Sequence, residues 1–254
     1  MLNKLGSFKF HIESYTCDFT EKATLSGIGG YILDTASHHA EERGFGYGDI
    51  LNDHVAWVLS RLSIKMDNYP VFNRTIRIET WIESVERFFT QRCFCIYDED
   101  GTILGYARSI WAAIDIETRR PIDIASWRPD LVEYVLPEKE CPIEKFSKIP
   151  SVGGIESSMG YSVRYSDIDI NKHTNSIKYI EHIVNVFDLE MFRDNFIQRF
   201  DIIYLAEGIF GDKLKLYRQN ISEDECLIDT RRGEESVCRS RIIWKSKYTN
   251  NKIN

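Results

Sequence analysis

The sequence predicts an α+β protein made of two similar halves, each an antiparallel sheet wrapped around a central helix. Three observations carry that expectation: a weak internal repeat, one amphipathic helix followed by strands in each half, and an aromatic content that suits strands. The chain has 254 residues, room for one large domain or for two of about 100–150 residues each. With 43% hydrophobic and 28% charged residues its balance is that of a globular protein, and thirteen tyrosines and fourteen phenylalanines supply bulk for a core.

Sliding residues 61–78 by 138 positions lays them over residues 199–216 without a gap. Arg61 meets Arg199, Ile64 meets Ile202 and Phe72 meets Phe210, while Leu62, Val71, Ile76 and Ile78 meet apolar residues. Three identities in eighteen acquire weight from the shared order of elements.

The first helix is expected at 26–43, with Ile32, Ala36, His39 and Ala40 near one face and Gly44 as its stop. In the second half Ile177, Ile180, Val184, Phe187 and Met191 recur at helical spacing, Ile183 widens the stripe, and Asn175 is placed to cap the first turn. Residues 76–83 alternate Ile76, Ile78, Thr80, Ile82 against Arg77, Glu79, Trp81, Glu83, a strand with one buried and one solvated face. Strands follow at 88–97 and 106–116, joined through a turn at 98–101 that ends in Gly101, and again at 213–218 and 236–244. A helix that buries its stripe against a curved antiparallel sheet is the hotdog arrangement, so the expected fold is a tandem hotdog. Its boundaries read as an N-terminal half at 1–136, a connection at 137–157 rich in Pro and Gly (Pro137, Pro142, Pro150, Gly153, Gly154), and a C-terminal half at 158–254.

A net charge of −7 gives the molecule no electrostatic reason to bind nucleic acid or an anionic membrane. No run approaches the ~20 apolar residues of a membrane span, and residues 1–11 have neither signal-peptide nor transit-peptide character. Six cysteines (17, 93, 95, 141, 226, 238) form no C-x-x-C pair, so free thiols in a reducing cytoplasm are expected, with no metal site and no cofactor.

The densest polar cluster precedes the second helix: Asp169, Asn171 and His173 at i, i+2 and i+4. In an extended segment these project to one side, with Ile168 and Ile170 on the other. An acid, an amide and an imidazole then converge near a helix N-terminus, where backbone N–H groups favour the oxyanion of an attacked carbonyl. Asp and Asn before a helix also serve as caps and turn formers, so spacing alone leaves both readings open.

The run from Tyr165 to Ile180, Y-S-D-I-D-I-N-K-H-T-N-S-I-K-Y-I, closely resembles the signature of plant and bacterial acyl-ACP thioesterases. That family's Asp-x-x-T-[RK]-[RK]-P segment is matched by Asp115 to Pro121, and the resemblance covers roughly residues 8–247. It implies hydrolysis of fatty acyl-ACP to free fatty acid and ACP by a catalytic C-terminal half, with the N-terminal half holding the acyl chain. The catalytic groups it implies are Asp169, Asn171, His173 and, from the stretch Tyr204-x-x-Glu207, Glu207. Gly208 stands where plant members usually carry a Cys, which excludes a thiol nucleophile there, and Tyr165 replaces the signature's Trp. One half carries the polar set and the other lacks it: at the 138-residue offset Glu207 lies over Tyr69, and no N-x-H precedes the first helix.

The chemistry admits general-base attack by water, with Glu207 and His173 paired and Asp169 orienting, or direct attack by a carboxylate. The implied partner is an acyl carrier protein with a phosphopantetheine-linked acyl chain. Such carriers are acidic, so docking needs a basic patch, and Arg119, Arg120 and Arg128 are the expected one. An acyl-CoA thioesterase on the same scaffold is the nearest alternative; a non-catalytic acyl-binding hotdog protein is the alternative of a different class. Monomer and homodimer are both compatible with a double hotdog.

Overall fold

The computed structural model describes residues 3–153 and 158–248. The chain divides into two compact units, Met1–Phe146 and Ser147–Asn254.

The first unit runs β1 (Gly6–His11), α1 (Leu25–Glu41), α2 (Tyr47–Leu51), β2 (Val55–Met66), β3 (Thr75–Val85), β4 (Phe89–Tyr97), β5 (Ile103–Asp115) and α3 (Ile124–Trp127). Its strands form an antiparallel sheet in the order β1-β3-β4-β5-β2. Helix α1 starts where Thr24 Oγ1 accepts from Gly27 N at 3.0 Å. It buries Ile28, Ile32, Ala36, His39 and Ala40 along one face, against β1 and β3. Full burial of one such isoleucine contributes about 1.5–3 kcal/mol. The β4–β5 turn closes as the sequence predicts: Gly101 N donates to Asp98 O at 3.0 Å, with Gly101 at φ +89°, a conformation that costs glycine nothing.

Strand β3 departs from the expected one-sided burial. Trp81, on the face read as solvated, is fully buried. Its Nε1 donates to Lys139 O at 3.0 Å, the Lys139 ammonium lies 4.9 Å from the ring centroid, and Leu136 and Cys141 pack alongside. Residues 137–146 are therefore a strap over the outer face of this sheet, and alternation within β3 could not announce it.

The second unit runs β6 (Met159–Ser162), α4 (Ser176–Val184), α5 (Leu189–Asp194), β7 (Asn195–Tyr204), β8 (Lys213–Asn220), β9 (Glu225–Arg232) and β10 (Glu235–Ser246). Its sheet is antiparallel in the order β7-β10-β9-β8-β6. Asn175 caps α4, its Oδ1 accepting from Ile177 N at 2.8 Å. The apolar stripe read as one helix through Met191 stops at Val184, and α5 starts afresh at Leu189. Phe187 and Phe192 explain the break. Both pack on Trp244 of β10, with ring centroids 4.8 and 5.3 Å away. In a continuous helix, residues five apart point about 140° from one another and could not share that partner.

Residues 147–153 belong to this second unit. Ile149 and Val152 pack on Leu227, and the buried Asp229 carboxylate accepts from Ser151 Oγ at 2.8 Å and Val152 N at 3.2 Å. The rest of the expected connection, residues 154–157 including Gly154, lies outside the described residues. Each unit is a helix held against an antiparallel sheet, so the architecture is the tandem hotdog. All six cysteines are free, and no helix among the described residues is long and apolar enough to cross a membrane.

Candidate active site

The site begins at the edge strand β6. Val163, just after it, exchanges hydrogen bonds with the far loop: its N donates to Asp212 O at 2.9 Å and its O accepts from Gly211 N at 3.0 Å. A single 3-10 turn, Tyr165–Asp167, follows. It is fixed by the buried Asp167 carboxylate, which accepts from Arg164 N at 2.6 Å and from the Tyr161 hydroxyl, with His182 Nε2 at 3.6 Å. His182 is itself buried on α4, and that burial pushes its pKa down despite the Asp167 carboxylate.

The segment carrying Asp169, Asn171 and His173 is a closed loop, where the sequence reading expected an extended one. Ile168 and Thr174 form a bridge across its neck, Asp169 N donates to His173 O at 2.9 Å, and Lys172 N donates to Asp169 O at 3.0 Å. Lys172 takes φ +66° to make the turn. The Asp169 carboxylate turns inward to the loop's own backbone, where Oδ1 accepts from Asn171 N at 2.8 Å and His173 N at 3.3 Å. The expected alternation of sides is replaced accordingly, with Asn171 exposed on the turn and Ile170 75% exposed.

The imidazole of His173 points out of this loop to the one that follows β7. His173 Nε2 lies 3.3 Å from Glu207 Oε2, and both side chains keep access to solvent, at 29% and 38% exposure. Thr174 N donates to Gly208 O at 2.8 Å, which ties the two loops together beside the pair.

Other residues hold this geometry without having any signal in the sequence. Arg232, at the end of β9, donates to Glu207 O at 3.2 Å and to Asp212 Oδ2 at 2.7 Å, while its other nitrogen donates to Glu235 Oε2 at 2.6 Å. Asp212 Oδ2 in turn accepts from Ile209 N at 3.0 Å. Tyr204 donates through its hydroxyl to Ser176 O at 3.0 Å, pinning β7 to the first turn of α4. Gly208 is required by packing: a Cβ there would stand 2.5 Å from Tyr179 Oη and 2.7 Å from Thr174 Oγ1.

The structure brings His173 and Glu207 together, sets Asp169 under the same loop and leaves Asn171 on its exposed tip. It places Arg119, Arg120 and Arg128 in the first unit. Arg128 is taken up by Asp130, with Nε–Oδ1 at 2.8 Å and Nη2–Oδ2 at 2.6 Å, and also donates to Gly44 O. Arg119 and Arg120 stand on a turn with the acidic Asp115 and Glu117.

Two hotdog units, the second of them bearing a carboxylate–imidazole pair near the start of its helix, define a double-hotdog protein. The chain matches the acyl-ACP thioesterase N-terminal domain over residues 4–132 and the acyl-ACP thioesterase C-terminal domain over residues 154–246, and it belongs to that family. The crystal structure of an acyl-ACP thioesterase from Bacteroides thetaiotaomicron superposes with a TM-score of 0.89 at 39% identity, covering 95% of this chain and 98% of that one. The 12:0-ACP thioesterase from Umbellularia californica shares the fold, with a TM-score of 0.87 at 19% identity over 97% of this chain and 99% of that one. The oleoyl-acyl carrier protein thioesterase of Coriandrum sativum is 26% identical over 234 residues, 85% of this chain. The chain spans 54–63% of the length of the first curated relatives it matches.

Proposed function

We propose that the chain hydrolyses fatty acyl-ACP to free fatty acid and ACP, releasing the products of fatty acid synthesis. The observation that carries this reading is the 3.3 Å approach of His173 Nε2 to Glu207 Oε2, in one unit of a chain from this family. Six free thiols suit a reducing compartment such as the cytoplasm.

In the proposed mechanism a water held between Glu207 and His173 attacks the thioester carbonyl, and Glu207 accepts the water's proton. The Asn171 amide, on the exposed tip of the loop, hydrogen-bonds the carbonyl oxygen as it takes up negative charge. The tetrahedral intermediate expels the phosphopantetheine thiolate, which takes a proton through His173. Asp169 acts through the loop: two backbone N–H groups bind its carboxylate and set the direction of the imidazole. The first unit, which lacks the polar set, is assigned the acyl chain.

An acyl-CoA thioesterase would use the same residues. The deciding experiment offers the purified protein matched ladders of acyl-ACPs and acyl-CoAs and measures the free acids formed. Higher kcat/KM on the ACP series is expected; equal or higher values on the CoA series would overturn the carrier assignment.

A further inference from the structure

The second unit carries a groove that the hydrolytic centre does not use. Strand β6 pairs with β8 so that Gly160 faces Lys215 and Ser162 faces Lys213. The two lysines are exposed and alternate with the buried Leu214 and Leu216, so they share the outer face of the sheet. Their cross-strand neighbours have almost no side chain. The result is a hollow of about 770 Å³, walled by Arg164 just beyond β6 and closed by the 233–234 hairpin, where Glu234 is its single acid.

Its charge is at odds with the rest of the molecule. The chain is −7 overall, yet three cations face one acid here. Among the described residues none of Arg164, Lys213 and Lys215 has an ion-pair partner. Asp212, next to Lys213, gives its carboxylate to Arg232 at 2.7 Å. The groove is also tied to the site along the chain: Arg164 N is held by Asp167 at the start of the catalytic loop, and Lys213 follows the loop that Arg232 fastens to Glu207 O. By contrast Arg128 is neutralised by Asp130, and Arg119 and Arg120 share their turn with two acids.

We propose that the groove lined by Arg164, Lys213 and Lys215 docks the acidic surface of the acyl carrier protein. This rests on the thioesterase reading above and adds to it where the carrier sits. Long-range attraction between the cations and an acidic carrier speeds encounter, while the groove selects carrier-bound substrates over free thioesters. Such a surface acts on KM and is weakened by salt, since exposed charges are screened within about 10 Å at 0.1 M.

The test compares kcat/KM on an acyl-ACP with that on the matching acyl-N-acetylcysteamine thioester, which has neither carrier nor phosphate, at low and high ionic strength. Three variants are needed: Lys213→Glu/Lys215→Glu, the milder Lys213→Ala/Lys215→Ala, and Arg119→Glu/Arg120→Glu. The reversal should lower the ACP-to-thioester ratio at least about tenfold through KM, the alanine pair should fall between it and wild type, and high salt should shrink the differences. The arginine reversal should leave the ratio in place. Normal acyl-ACP turnover with an unchanged ratio in both lysine variants would overturn the groove alone, as would a fall confined to the arginine variant. Absence of acyl-ACP turnover by the wild-type chain would remove the thioesterase reading and the groove with it.

Discussion

The two helix-entry loops are built to one plan and differ only in what they present. In the first unit Cys17 bridges Ala23, Asp18 N donates to Lys22 O at 2.9 Å, Glu21 N donates to Asp18 O at 3.0 Å, Thr20 N donates to Asp18 Oδ1 at 2.8 Å, and Glu21 takes φ +59°. The second unit repeats each of these bonds with Ile168, Thr174, Asp169, His173, Lys172 and Asn171. The clamp to the neighbouring loop is repeated too, from Ala23 N to Pro70 O at 2.9 Å and from Thr174 N to Gly208 O at 2.8 Å. Asp18 thus stands for Asp169, Thr20 for Asn171, Lys22 for His173 and the buried Tyr69 for Glu207. Loop shape belongs to the scaffold, and an aspartate makes it in both halves. What distinguishes the second loop is an imidazole facing a carboxylate, where the first has an ammonium that donates to Asn68 Oδ1 at 2.9 Å.

The largest expected effect follows from that contrast. Glu207→Gln or His173→Ala should lower kcat on acyl-ACP by ~10²–10⁴ with the melting temperature nearly unchanged, the loss typical for an acid–base group. Folded variants at wild-type rates would remove the pair from the chemistry. Gly208→Cys comes next. Its new Cβ must displace Tyr179 and Thr174, so a destabilisation of about 1–3 kcal/mol is expected, with no gain in turnover. A more active variant that thiol-directed alkylation then inhibits would show that this scaffold accepts a nucleophile beside Glu207.

A smaller effect separates shape from chemistry at the paired aspartates. Asp18→Ala and Asp169→Ala each remove a side chain that accepts from its own loop, at an expected cost of about 1 kcal/mol measured by denaturant unfolding. Asp169→Ala should also lower kcat, by an amount that Asp169→Asn partly restores, because the amide oxygen still accepts from the loop. Asp18→Ala should leave kcat alone. A kcat for Asp169→Asn as low as that for Glu207→Gln would assign the Asp169 charge a direct part in the reaction.

These correspondences show why the repeat was only half legible. The strands align at an offset of 138 residues, but the loops align at 151, chiefly because the first unit has a seventeen-residue α1 where the second has a nine-residue α4, each followed by one short helix, α2 or α5. Asp18 and Asp169 are the one identity between the two loops, so an alignment on side chains passes over them. Asn175 as cap, the 98–101 turn and the strands flanking it follow from local chemistry and were readable. The strap over Trp81 and the break at Val184 depend on partners far along the chain. Glu207 entered through its family motif alone, since thirty-four positions separate it from His173 and the contacts that join them, such as the clamp from Thr174 N to Gly208 O, are tertiary. Arg232, which fastens that loop, is one arginine among many in sequence.

The smallest effect contrasts two buried helix histidines. His39 on α1 faces cations: Arg92 Nη1 lies 2.9 Å from its Nδ1, its Nε2 meets Lys4 O at 3.3 Å, and Arg43 is nearby. Burial first, then these guanidiniums, push its pKa down to about 2. His182 on α4 faces Asp167, so burial lowers its pKa against the pull of a carboxylate. The folded His39 is neutral while the unfolded one takes a proton as the pH falls through about 6.5. Below that pH the unfolded chain binds more protons, and stability declines toward the folded pKa. The contribution of His39 should be just under about 1 kcal/mol lost at pH 6, steepening to about 1.4 kcal/mol per pH unit below. His39→Gln, whose amide can accept from Arg92 and donate to Lys4 O, should flatten the profile of unfolding free energy between pH 7 and 5 relative to wild type. Identical slopes would mean that the imidazole stays protonated in the fold, against the two guanidiniums that face it.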